Sequence, residues 1–352
     1  MRGRGDRLEQ QLAERELDRM LVTELTNVRY LTGFTGTNGA CVCGPGVRLF
    51  LTDFRYTERA EAEVESWETV TVTADWLKGV AERLEGKVGF EDDHMSVRLL
   101  EKLKDKLGEG VEMVAAGGAV EKLRRVKDEG ELAAIEEASK LADEVWRWSL
   151  ERGLAGRSER EVARAAEARI RELGGDPSFP AIVAAGPNGA LPHAEPGERE
   201  IGRGELVVFD MGAQLDGYCS DGTRTFATGE PGEEARRVYG IVLEAQLASL
   251  EAVKAGVKGE DVDAVARKII DAAGHGEHFG HGLGHGVGLE VHEAPRLSLR
   301  SDDVLAAGEV VTVEPGIYLP GKLGVRIEDF VVVTDEGLRN LSSLPKDLQL
   351  VD

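Results

Sequence analysis

Cysteine is scarce in this chain of 352 residues: Cys41, Cys43 and Cys219 are all it has. An odd count without framework spacing excludes a disulfide scaffold and points to reduced thiols in a cytoplasmic protein. Cys41 and Cys43, at i and i+2 on one strand face, form too poor a pattern for a zinc site, so all three read as small apolar residues. Long apolar runs are missing too. Nothing approaches the length needed to span a bilayer, and the basic N-terminal stretch lacks the apolar segment of a signal peptide. Positive charge is in deficit: 43 Lys and Arg face 65 Asp and Glu, a formal net charge of -22. A surface of that sign repels phosphate backbones and anionic membranes, so neither nucleic acid nor membrane is an expected partner. It names no substrate, because a solvated acidic surface is also an ordinary route to solubility.

What is there is a globular composition, 41% hydrophobic and 31% charged, long enough for two domains. From Arg7 to about Val120 short elements alternate. Leu8, Leu12 and Leu17 mark an amphipathic helix, 20–22 a strand, and 40–43 with 47–52 a hairpin across Gly44-Pro45-Gly46. Helices over 57–64, 76–84 and 96–107 then alternate with strands over 69–73, 87–90 and 111–115, which predicts a small α/β domain with a mixed sheet. The turn-rich run from Thr32 to Gly39 and the run from Thr52 to Tyr56, with Asp53 as a cap, read as structural. A helical stretch over 119–150, broken at Gly130, crosses into the second domain. The boundary falls near Lys127 and divides the chain into 1–126 and 127–352.

The second domain repeats itself. A helix over 158–173 has Ser158 as N-cap, Glu161 completing a capping box and Gly174-Gly175 as a stop. Gly204-Glu205 then opens a buried strand that reaches Asp210, with Gly212 two residues on. After helices over 233–254 and 259–273, Gly308-Glu309 opens another strand that reaches Glu314, with Gly316 two residues on. Each leads to a return strand, 218–227 or 324–333, that carries a second acid, Asp221 or Glu328. Two copies of helix, helix and acid-bearing hairpin predict packing about a pseudo-two-fold axis. That arrangement brings four carboxylates together.

Strand alternation puts Asp210 on the face of Leu206 and Val208, and Glu314 on the face of Val310 and Thr312. Four unpaired charges on apolar faces would cost many kcal/mol. Two divalent cations would cancel them. A neutral imidazole would come from the stretch Gly274 to Glu293, which holds five of the seven histidines, His275, His278, His281, His285 and His292, spaced by glycines. Alone, that stretch is as well explained by a solvated linker or weak adventitious metal binder as by a functional site, and each acid alone reads as a surface charge at a strand end. The repeated context favours metal. Oxygen-rich coordination with one nitrogen suits manganese, cobalt or iron, and also zinc.

The ordered set Asp210, Asp221, His285, Glu314 and Glu328, in VFDMGAQLDGYCSDGTRTF, HGLGHGVGLEVHE, VEPGIY and VRIED, resembles the pita-bread metallopeptidases. Within them it most resembles the proline-specific branch, prolidase and aminopeptidase P. These separated motifs span the whole second domain, and the first resembles, less specifically, the creatinase-type N-terminal domain of that branch. The resemblance implies an α+β pita-bread catalytic domain with an internal pseudo-two-fold repeat, preceded by a smaller α/β creatinase-type domain. It implies two divalent metal ions, manganese first among them: Asp210 chelates one, His285 and Glu314 the other, and Asp221 and Glu328 bridge both. Such a pair lowers the pKa of a water held between the ions and polarises the scissile carbonyl. Glu314 matches the residue that passes that water's proton toward the leaving nitrogen.

By the same resemblance His193, His281 and His292 hydrogen-bond the substrate or the tetrahedral oxyanion, and Arg326 orients the acidic cluster. Arg296 matches an arginine that in prolidases grips the free carboxylate of a dipeptide's proline, for which a guanidinium fork is suited. His275 and His278 match no role and read as structural. The expected substrate is a small peptide with proline at its second position, and a cytoplasmic homodimer is expected by analogy. The subclass signals divide. Arg296 favours a dipeptidase, whereas 33–39 and 52–56 look more like aminopeptidase P; the dipeptidase is the reading taken. A metal-free creatinase-type hydrolase and a non-catalytic binding module on the same fold stay open, although five intact ligand positions speak against both.

Overall fold

The computed structural model describes residues 3–352. The chain divides into two compact units, Met1–Arg124 and Arg125–Asp352. The division lies two residues before the position read from sequence, because Arg125 is already anchored in the second unit. Its guanidinium donates to Asp303 Oδ1 at 2.7 Å and to Glu309 Oε1 at 2.8 Å.

The first unit is built on a six-stranded mixed sheet in the order Glu68–Thr71, Val47–Thr52, Ala40–Gly44, Arg19–Val22, Lys87–Phe90, Glu112–Ala115. Arg19–Val22 and Val47–Thr52 pair antiparallel with Ala40–Gly44, and the outer pairings are parallel. Its first helix, Arg4–Glu14, stops short of Leu17. One helix, Leu25–Thr32, has no counterpart in the sequence reading. It buries Asn27, Val28, Tyr30, Leu31 and Thr32, which leaves only a narrow outward edge, Leu25, Thr26 and Arg29, from which to read a helical period. Asp53 does act as a cap, accepting from the Arg55 backbone N–H at 2.9 Å. All three cysteines are buried and free.

In the second unit the helix pair Glu129–Glu151 and Glu159–Glu172 is echoed by Glu233–Ala252 and Gly259–Ala272. The long helical stretch breaks at residues 126–128 rather than at Gly130. Asp128 forms a reciprocal capping box with Glu131 and starts a new helix there, and Gly130 lies in its first turn. The box of Ser158 with Glu161 is present as expected. Each helix pair packs on its own antiparallel sheet. In the first half Leu206–Asp210 lies between Ile182–Ala185 and Thr223–Ala227. In the second half Val310–Val313 lies between Gly284–Gly286 and Asp329–Val333. One core groups Val145, Ile170, Val183 and Phe209, the other Val242, Ile270, Val313 and Ile327.

Both return strands, expected to be continuous, are interrupted where their acids sit. Tyr218–Cys219 and Thr223–Ala227 flank Asp221, while Leu323–Arg326 and Asp329–Val333 flank Glu328. The chain leaves its own ladder there to bond elsewhere: the Glu328 N–H donates to Thr223 O of the other half at 3.0 Å. Among the described residues no helix is long and apolar enough to cross a membrane.

Candidate metal centre

Strand ends, strand gaps and the glycine-spaced histidines converge on a cavity of about 610 Å³. Asp210, Asp221, His285, Glu314 and Glu328 all line it, as do His193, His281, His292, Arg296 and Arg326. His275 and His278 do not line it. His275 is buried, with neither ring nitrogen hydrogen-bonded among the described residues.

Asp221, His285 and Glu328 each offer a ligand atom within 4.8 Å of the others. His285 Nε2 lies 3.6 Å from Asp221 Oδ2 and 3.4 Å from Glu314 Oε1. Its Nδ1 lies 3.1 Å from the carbonyl of Gly286, which leaves Nε2 facing the acids in the tautomer that donates from Nδ1. Asp210 is turned toward Arg326, whose Nη2 donates to Asp210 Oδ2 at 2.7 Å. The other Asp210 oxygen is buried with no hydrogen-bond partner among the described residues.

Arg326 organises the polar floor. Its Nε donates to Thr223 Oγ1 at 2.9 Å, and its Nη1 to the Tyr318 hydroxyl at 2.9 Å and to Pro192 O at 3.2 Å. The Thr223 hydroxyl in turn donates to Glu328 Oε2 at 2.7 Å. The ring nitrogens of His281 lie 2.8 Å from Gly282 O and 2.9 Å from the Tyr318 hydroxyl. Tyr318 and Thr223 escaped the sequence reading, although they stand in VEPGIY and DGTRTF. Behind them Arg224, also missed, donates to Asp329 Oδ1 at 2.6 Å and to the carbonyls of Leu344 and Pro345.

The electrostatics fit a cation-binding site. Four acids meet one arginine. Burial pushes the Asp221 and Glu328 carboxyls well above the usual range, and the neighbouring acids push the same way. Asp210 is raised too, by burial, with Arg326 opposing. Glu314 goes the other way: burial works to raise it, but without metal a protonated His285, with His281 and Arg326, outweighs burial and holds it at about 2. A buried carboxylate oxygen without a donor, beside acids whose charges repel, is the donor set a hard or borderline divalent cation satisfies. The residues present therefore fit metal.

Comparison with known proteins defines the class. Residues 133–335 match Metallopeptidase family M24, and residues 4–126 match the Creatinase/Prolidase N-terminal domain. The chain belongs to this metallopeptidase family, with the creatinase-type N-terminal and pita-bread catalytic domains expected of it. Particular relatives narrow the class. The structure of an Xaa-Pro dipeptidase from Bacillus anthracis is 41% identical, covers 99% of both chains and superposes with a TM-score of 0.96. An X-Pro aminopeptidase from Thermotoga maritima is 36% identical, covering 96% of this chain and 99% of its own, with a TM-score of 0.90. The Xaa-Pro dipeptidase of Pyrococcus furiosus is 36% identical over 351 residues, 99% of this chain and all of that protein.

Proposed function

We propose that this metallopeptidase hydrolyses the bond before proline in Xaa-Pro dipeptides. The observation that carries the reading is the convergence of three buried acids, the partly buried Glu314, His285 and Arg296 on one cavity. Asp210 would hold one divalent ion, His285 and Glu314 a second, with Asp221 and Glu328 shared. Bound there, the ions supply Lewis acidity toward the scissile carbonyl and a water of lowered pKa. Manganese is the metal proposed, on the oxygen-rich donor set.

The chain's own residues do the rest. Glu314 lines the cavity with its carboxylate 3.4 Å from His285 Nε2 and would accept the attacking water's proton and return it to the proline nitrogen. Arg326 fixes Asp210 and, through Thr223, Glu328. His193 and His292 face the cavity and supply donors for the substrate and the developing oxyanion. His281, between Gly282 and Tyr318, holds the Tyr318 side of the floor. Arg296 offers a two-pronged contact to the free carboxylate of a dipeptide. The bond before proline is a tertiary amide without N–H, so a site that grips the carbonyl and a chain terminus suits it.

The aminopeptidase of Thermotoga maritima supports a second reading, release of the first residue from longer Xaa-Pro peptides. Rates on an Xaa-Pro dipeptide and an Xaa-Pro-Xaa tripeptide separate the two, and faster cleavage of the dipeptide is expected. A strong tripeptide preference overturns it. Elemental analysis of the active protein should find two divalent ions per chain. The family resemblance also supports a cytoplasmic homodimer, to be checked by light scattering.

A further inference from the structure

Residues 279–283 form no helix or strand, and Gly280, Gly282 and Gly284 leave the local backbone little intrinsic stiffness. Yet this segment carries His281 to the cavity and runs directly into the strand of His285. Something outside it must fix its path. Asp263, on the helix Gly259–Ala272, is fully buried and lines no part of the cavity. Its Oδ1 accepts from the Leu283 N–H at 3.0 Å, and both its oxygens pair with Arg267 one turn along, at 2.5 and 3.0 Å. Arg267 spends two further donors on the same segment: Nη1 on Phe279 O at 3.0 Å and Nη2 on His281 O. Its guanidinium also stacks 4.4 Å from the centre of the Phe279 ring.

The ties continue inward. Leu283 O accepts from the Glu314 N–H at 2.8 Å, and His281 meets Tyr318, which meets Arg326. The geometry points to Asp263 and Arg267 as positioning residues: a clamp on segment 279–283 that sets where His281 and Glu314 stand relative to the scissile bond. The other half of the molecule meets the same need with another buried acid. Glu159 accepts from the N–H groups of Ala185 and Gly197 and from the Asn188 amide, bracketing the loop that carries His193. The assignment to catalysis rests on the peptidase reading above; the clamp itself does not.

The clamp meets His281 only at its backbone carbonyl and touches neither Arg296 nor the metal-binding side chains, so its loss should appear in kcat rather than KM. Arg267 is 23% exposed and lines an outer pocket of about 350 Å³ with Phe279 and Leu299. A small cation can therefore reach its place. In the full-length, metal-loaded protein, Arg267→Ala is expected to lower kcat about ten- to a hundredfold, the range that misplacement by ~1 Å produces. KM and bound metal should stay within about twofold. Methylguanidine, a planar fork, should restore most of the loss, and ethylammonium, a point charge, should not. Arg267→Lys keeps the charge beside Asp263 but cannot span two carbonyls, so it should show the same kcat loss in a folded protein. Amide exchange gives a readout independent of activity: residues 279–283 should exchange at least about tenfold faster in either variant, with 185–197 unchanged. Unchanged kcat in both variants, loss appearing in KM or metal content, equal rescue by both cations, or unaltered exchange at 279–283 overturns the proposal. Wild-type protein that cleaves no Xaa-Pro peptide overturns only the peptidase reading, and the exchange measurement still decides the clamp.

Discussion

Two buried acids of the second unit, Asp221 and Asp329, show opposite signs of the same physics. Asp221 has no cation of its own, and burial, followed by Glu328, Asp210 and Glu314, raises its carboxyl. Its charged form therefore opposes folding: the cost is absent below the ordinary carboxylate range and grows as pH rises toward the folded-state value. Metal-free Asp221→Asn should accordingly melt higher than metal-free wild type at neutral pH. The difference should vanish below the carboxylate range; a melting-temperature gap that widens on acidification refutes the assignment. Asp329 is the reverse case. Burial opposes its charge, but Arg224 and Lys346 prevail and lower its carboxyl. Its contribution is full above the unfolded carboxylate value and fades as pH falls through the folded one. Asp329→Asn strands Arg224, which is 2% exposed, so urea denaturation should find a loss of about 3–5 kcal/mol. None of this partnering was legible in the sequence, because Arg224 and Asp329 stand far apart in the chain and each alone reads as an ordinary charge.

At the scale of elements, close backbone approach decides what the hairpins tolerate. A side-chain carbon added at Gly324 would meet Gly189 O at 1.8 Å, where the strand Leu323–Arg326 crosses the turn Gly186–Ala190. Gly324→Ala should push that turn outward with the Pro192-His193 segment behind it, costing about 1–3 kcal/mol. The peptidase assay should then show a higher KM. Ser158→Ala removes a capping box and should cost about 1 kcal/mol with KM unchanged. The capping residues, the strands and the repeat were readable because each is a local pattern. The strand gaps at Asp221 and Glu328 were not: alternation runs straight through them in sequence, and only the bond from the Glu328 N–H to Thr223 O shows why the ladder stops. Leu25–Thr32 was hidden by burial on most sides, which erases the period by which a helix is found.

For the whole molecule, bound metal and folding are linked. Cations that bind only the folded chain stabilise it by mass action, about 2.7 kcal/mol for a site at a hundredfold excess over Kd. Exhaustive chelation should lower the melting temperature and abolish peptide cleavage, and resupplying a divalent ion should restore both. Activity that survives chelation would revive the metal-free reading. The duplicated architecture of the second unit has a further consequence. Although the fold contains the same scaffold twice, it contains one workplace, furnished jointly: Asp210 and Asp221 come from one copy, His285, Glu314 and Glu328 from the other. Duplication here confers no redundancy, and damage to either copy idles the whole enzyme rather than half of it.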